Sequence, residues 1–151
     1  MKLGTVELQN LERVMEIISR SQEQLNSIAA LDWTLSMIEF LIKSSQSMAV
    51  FDEMSNQRLL AFCFYENKGD ICEVMVLATH PDLQGKGYMT RILHSLQQLF
   101  SEIWLEVHEK NSNALKFYLA CGFIITGRRK KYYKDNSDGI LMTWKRELAI
   151  L

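Results

Sequence analysis

The chain has 151 residues, a net charge of −1 and a pI near 6.3, which suits one domain over residues 1–151 and gives no overall attraction to nucleic acid. Its three cysteines, Cys63, Cys72 and Cys121, lie in apolar segments without CxxC spacing, so neither a disulfide framework nor a metal is expected. No apolar run reaches the length of a membrane span and the N-terminus has no signal-like apolar stretch, so a cytoplasmic location without membrane contact is expected.

In chain order, residues 2–8 read as a short strand, and Leu11, Val14, Met15, Ile17 and Ile18 fall on one face of a helix that Asn10 can cap. Thr34 can cap a second helix with Met37, Ile38, Leu41 and Ile42 on one face, Ser36 and Glu39 offering an alternative capping box. Residues 47–52 and 59–65 read as a hairpin turning through Glu53, Met54, Ser55 and Asn56; residues 67–70 then turn the chain into a strand at 71–79. A helix at 87–99, a strand at 103–107 and a helix from about 111 to 121, closed by Gly122, follow. Strands near 123–131 and 139–145, separated by the turn residues 135–139, complete the domain. The strand-helix-strand step from 71 to 107 implies one parallel pair, so the expected fold is mixed α/β: a mostly antiparallel sheet of six to seven strands flanked by about four helices.

Between the strand at 71–79 and the helix at 87–99 stands Gln84-Gly85-Lys86-Gly87-Tyr88-Met89. The first amides of a helix have no intrahelical partner and sit at the positive end of its dipole, and glycine lets backbone approach an anion closely. The turn is therefore either a tight connection or a phosphate cradle. It fits neither the dinucleotide fingerprint nor the nucleoside-triphosphate loop, because Thr90 stands where the first needs a third small residue and Gly87 where the second needs Ser or Thr.

Glu106 interrupts the apolar strand Ile103-Trp104-Leu105-Glu106-Val107. Strand alternation puts it on a solvated face beside His108, or it is a partly buried general base with a raised pKa. Asn111 and Asn113 both suit a helix cap, and Tyr118, two helical turns after Asn111, suits a core aromatic. Arg128, Arg129, Lys130, Lys131 and Lys134 surround Tyr132 and Tyr133, a run that reads either as a solvated strand end or as a contact for RNA or an anionic ligand. Cys121 is a candidate nucleophile, but it sits at the negative end of a helix dipole and no histidine adjoins it in sequence.

Taken together, the glycine turn after a strand and Leu105-Glu106-Val107 with Asn111, Ala114, Phe117-Tyr118 and Gly122-Phe123 resemble the two conserved blocks of the GNAT N-acetyltransferase superfamily. The run from Arg128 to Tyr133, the Asp138-Gly139 turn and Ile140-Leu141-Met142 look like the C-terminal hairpin of the ribosomal-protein-alanine N-acetyltransferases (RimI), and Trp33 with its following helix is similar to their substrate-side loop. The resemblance implies the GNAT fold, acetyl-CoA as acyl donor, and direct transfer to an amine in a ternary complex. It implies Glu106 as general base and Tyr118 as general acid. Asn111 would contact the pantetheine arm, with backbone of Leu77, Ala78 and Thr79 pairing along it. Gln84, Gly85, Lys86, Gly87, Tyr88 and Met89 would hold the pyrophosphate, and Trp33, Tyr132 and Tyr133 the acceptor. Met89 departs from the family pattern, which has a small residue there.

His108, two residues along the same strand face, is the second candidate for the base. For the acceptor, a protein N-terminus is the primary expectation, with a ribosomal protein as one such partner and a small-molecule amine as the alternative. From another class, the chain would be a non-catalytic module binding acyl-CoA or RNA.

Overall fold

The structure, a computed structural model, describes residues 1–24, 33–55 and 57–148. Seven strands form one sheet in the order β1-β2-β3-β4-β5-β7-β6: β1 (Lys2–Gly4), β2 (Gln46–Asp52), β3 (Arg58–Lys68), β4 (Ile71–Thr79), β5 (Glu102–His108), β6 (Ile124–Arg129) and β7 (Gly139–Lys145). Every pairing is antiparallel except β4 with β5, where α3 (Tyr88–Leu99) makes the crossover. Among the described residues the expected mixed sheet is present with four α-helices, the others being α1 (Leu11–Gln24), α2 (Leu35–Ser44) and α4 (Ser112–Ala120).

Period-2 alternation divides the apolar residues between two faces. On one, Ile92, Leu93 and Leu96 of α3 and Tyr118 of α4 pack on Cys63, Tyr65, Ile103, Leu105, Val107, Ile140 and Met142. On the other, Val14, Ile17 and Ile18 of α1 with Ile38 and Leu41 of α2 pack on Ala49, Phe62 and Phe64. This second cluster draws no member from β5, β6 or β7 among the described residues, so its helices cover only half the sheet.

Local chemistry accounts for most boundaries and corrects some expectations. Thr34 accepts a bond from the Met37 amide and caps α2, as expected, but Met37 itself is exposed and Glu39 pairs with Lys43 instead of closing a capping box. The first strand ends at Gly4, because Glu7 starts a short 3₁₀ turn, and Asn10 accepts from the Glu7 amide instead of capping α1. Asn56, expected in the first hairpin turn, lies outside the described residues; Gln57 beside it takes a left-handed φ of 56°. Strand β6 stops at Arg129, since Lys131 is left-handed with φ 52° and its amide bonds the Asp138 carboxylate.

One irregularity shapes the centre of the sheet. Tyr65 pairs with Val74 and Phe64 with Val76, leaving Met75 as a bulged extra residue on β4. A bulge bends its strand and ends regular pairing. Beyond it β4 leaves β5: the two pair only at Ile71–Glu102, Cys72–Ile103 and Glu73–Trp104, while β5 stays paired with β7 through His108. The sheet is thus split between 74–79 and 105–108.

Candidate active site

A cavity of about 640 Å³ opens at this split. Leu77, Ala78 and Thr79 of β4, Gln84, Gly85 and Gly87 of the turn, Tyr88 and Met89 of α3, Asn111 at the start of α4 and Tyr118 within it all line it. Lys86 is exposed and does not line it. Gly85 and Gly87 have φ of 76° and 81°, conformations that side chains rarely adopt, and open space surrounds the position of either missing Cβ. Gly87 stands at the N-cap of α3 with no side-chain cap, so the helix presents its first amides unpaired by any capping group. The splayed length of β4 adds backbone groups that β5 does not engage. Unpaired helix amides, two left-handed glycines and a free strand edge form a cradle suited to a phosphate followed by an extended, amide-bearing chain. Met89 packs partly buried against the core and still lines the cavity.

Asn111 does two things at once. Its side chain accepts from the Ala114 amide, capping α4, and it faces the cavity. Tyr118 is buried, and loss of solvent, with Cys63 and Cys121 nearby, holds its phenol above the usual range, so it is protonated at neutral pH. Ser21 of α1 also lines the cavity, and its buried hydroxyl has no hydrogen-bond partner among the described residues. A residue from the α1 face and one from the α4 face thus border one space: the cavity passes into the split.

Glu106 lies outside that lining, on the strand face opposite Leu105 and Val107. Its side chain is 21% exposed; desolvation raises its pKa, opposed by Arg129 and the Tyr133 hydroxyl. Arg129 Nε stands 3.3 Å from Glu106 Oε2, and the Tyr133 hydroxyl donates to Oε1 at 3.5 Å. The carboxyl group occupies the space over Gly139, where a Cβ would meet its Cδ and Oε1 at 2.9 Å.

Around this carboxylate the loop is tied down. The buried His108 ring accepts the Lys110 amide at Nδ1, which leaves Nε2 to donate to Asp135 at 3.2 Å, and it stacks on Tyr133 with centroids 4.4 Å apart. With both nitrogens engaged, His108 is a structural group and not a free base. Arg128 is spent on Glu109 and Asp138, and Arg129 on Glu106 with its guanidinium over the Tyr132 ring. The two arginines of the basic run are therefore neutralised by carboxylates of β5, the turn after it and the hairpin. Cys63 and Cys72 are core thiols, burial lifting Cys72 to about 12, and burial also raises Cys121, which disfavours a thiolate nucleophile.

The sequence-predicted groups thus fall into two sets, one in the cavity and one on the half-covered sheet face. Trp33 joins neither: it packs on the α1 and α2 cluster, and among the described residues no ring contact links it to Tyr132 or Tyr133. Three contributors escaped the sequence reading. Gly139 reads as a turn glycine, yet its φ is not left-handed and its role is the room it leaves for Glu106. Arg129 was one charge in a run, and its pairing could be anticipated only from the β6-β7 register, which sets it opposite Gly139. Ser21 carries no sequence signal at all.

Residues 11–123 match the acetyltransferase (GNAT) family. The chain belongs to that family. The family's acyl donor is acetyl-CoA, whose pyrophosphate and pantetheine arm the glycine cradle and the free β4 edge fit. A [ribosomal protein bS18]-alanine N-acetyltransferase of Haemophilus ducreyi is 35% identical over 80 residues, which are 50% of this chain and 55% of that protein. The match thus spans about half the length of this curated relative. Among solved structures, the Escherichia coli ribosomal-protein-S18-alanine N-acetyltransferase superposes with a TM-score of 0.77 at 21% identity, covering 99% of this chain and 96% of that one. A chain of the NatC complex bound to Gag peptide and CoA superposes with a TM-score of 0.66 at 16% identity, covering 97% and 100%. At these identities the two structures establish the GNAT fold. No described helix is long and apolar enough to cross a membrane.

Proposed function

We propose that this GNAT chain acetylates the α-amine of a protein N-terminus, with an N-terminal alanine of a ribosomal protein as the acceptor class. The observation that carries the proposal is Glu106, a desolvated carboxylate with a raised pKa beside the split in the sheet, on the face away from Tyr118. Bound acetyl-CoA supplies an acetyl group activated as a thioester. Glu106 takes the proton from the attacking amine at a carboxylate oxygen, directly or through one water, and the Tyr118 hydroxyl gives a proton to the departing sulfur. Gln84, Gly85, Gly87, Tyr88 and Met89 hold the pyrophosphate; Leu77, Ala78, Thr79 and Asn111 align the arm. Tyr132 and Tyr133 flank the incoming amine. The exposed Lys86, which does not line the cavity, and Trp33, which packs on the α1 and α2 cluster, have an outlying part.

The acceptor follows from proton cost as well as from the relative's activity. At pH 7 a free α-amine of pKa about 7.7–8.0 is deprotonated for roughly 1 kcal/mol, whereas a lysine near 10.4 needs about 4.6 kcal/mol. One tuned carboxylate suits the first. A cytoplasmic location accompanies this reading.

Thiol release from acetyl-CoA, measured with a peptide beginning in alanine, the same peptide with its N-terminus blocked, and a polyamine, tests the proposal. Turnover with the free peptide alone is expected. Turnover with the polyamine alone would replace the acceptor, and thiol release with none of the three would favour a binding module.

A further inference from the structure

Both oxygens of the Glu106 carboxylate are engaged, and by unequal partners. Oε2 faces the Arg129 guanidinium at 3.3 Å, a charged contact; Oε1 takes only a long 3.5 Å bond from the neutral Tyr133 hydroxyl. Gly139 lies beneath the carboxyl group, its missing Cβ leaving the space that Cδ and Oε1 occupy. The remaining groups around the carboxylate are committed elsewhere. His108 on β5 is held by Asp135 and the Lys110 amide, Arg128 on β6 by Glu109 and Asp138, and Tyr132 carries the Arg129 cation on its ring. The hairpin's two acids are in use as well, Asp138 by Arg128 and the Lys131 amide, Asp135 by His108, Ser137 and Lys110.

An incoming amine therefore reaches Glu106 through Oε1, on the Tyr133 side, with Arg129 remaining on Oε2. That placement solves a problem of charge. A lone carboxylate would hold an arriving ammonium as an ion pair, raise its pKa and keep its lone pair protonated. A guanidinium already on the carboxylate offsets this pull. It also repels any second cation the acceptor carries, and the hairpin offers that cation no unengaged acid.

We propose that Arg129 is a specificity-determining residue: paired with Glu106, it favours amines that bring a single positive charge and disfavours polycations. The proposal rests on the reading of Glu106 as the base. Arg129 acts through Glu106 and is a positioning residue, not a catalytic one. Its side chain is 55% exposed, so replacement leaves the core untouched.

The test measures kcat/KM between pH 6 and 9 for a peptide with N-terminal alanine and for 1,4-diaminobutane, in the wild-type chain, Arg129→Gln, Arg129→Lys and Glu106→Gln. Without the guanidinium both Glu106 and the bound amine titrate higher. Arg129→Gln is therefore expected to move the acid limb for the peptide upward and to shift the diamine-to-peptide ratio about fivefold toward the diamine, the scale of one exposed charge contact. Arg129→Lys keeps the charge and is expected to keep the wild-type limb and ratio. A wild-type limb and ratio in Arg129→Gln, with Glu106→Gln inactive, would overturn the role of Arg129 alone. Full activity in Glu106→Gln would overturn the base and this inference with it.

Discussion

The two sides of the split are built from different materials. On the cavity side the chemistry is in the backbone: two left-handed glycines, the uncapped start of α3 and the edge of β4 that β5 leaves free. On the other side it is in side chains that saturate one another, from Arg129 to Glu106 to Tyr133 to His108 to Asp135. A backbone cradle recognises any ligand with the right phosphates and amides, and it tolerates changes of side chain. A side-chain network recognises charge and shape, and one substitution propagates along it.

Replacing single groups on one side should leave the other side's readout alone, and the largest effect belongs to Glu106. Glu106→Gln is expected to lower kcat by about 100-fold, the scale of general-base catalysis. Calorimetric affinity for acetyl-CoA should stay at the wild-type level, because Glu106 does not line the cavity. Loss of donor affinity in this variant would merge the two sides into one.

The reverse experiment is Gly85→Ala with Gly87→Ala. Nothing lies within 4 Å of either added Cβ, so the whole cost is the left-handed backbone, about 1–2 kcal/mol per residue. The two strains together come to about 2–4 kcal/mol, so acetyl-CoA binding should weaken by at least about tenfold, while kcat at saturating donor is retained. A variant that binds the donor normally would show that the cradle does not depend on these glycines.

The contrast also explains what could be read in advance. Helices α1 to α4 and all seven strands follow from periodicity and turn residues, and the glycine cradle from spacing, because backbone function leaves a local mark in sequence. Glu106, Asn111 and Tyr118 each read, taken alone, as a strand, cap or core residue, and only the resemblance to the family's second block sets them apart. Arg129 and Gly139 were not legible, since their meaning depends on a cross-strand register that sets Arg129 opposite Gly139 and Glu106 opposite Leu141. The bulge at Met75, which opens the split, is likewise a matter of pairing and not of residue type.

Gly139→Ala sharpens this point. The added methyl would press on the flexible end of Glu106 and not on backbone, so the fold should shift by less than about 0.5 kcal/mol. The carboxylate must still move. Peptide kcat/KM is therefore expected to fall about tenfold, a loss near 1.4 kcal/mol, with donor affinity and thermal midpoint unchanged. A drop in midpoint with wild-type turnover of the folded fraction would make Gly139 a folding residue only.

The smallest effect lies at the far end of the side-chain network. Desolvation raises the Asp135 carboxyl, but bonds from the Ser137 hydroxyl and amide and from His108 outweigh it and hold the pKa below its ordinary value. A carboxylate whose pKa is depressed on folding stabilises the native state fully above its unfolded pKa, about 3.9, and loses that contribution as pH falls through the folded value. Asp135→Asn should therefore melt below the wild-type chain at pH 7, and the two midpoints should converge as the pH is lowered from about 4 toward 2. A gap that stays constant over that range would assign the effect to hydrogen-bond geometry and remove charge from this end of the network. Convergence, accompanied by a small fall in peptide turnover and no change in acetyl-CoA affinity, would show that the support beneath Tyr133 and Glu106 belongs to the acceptor side alone.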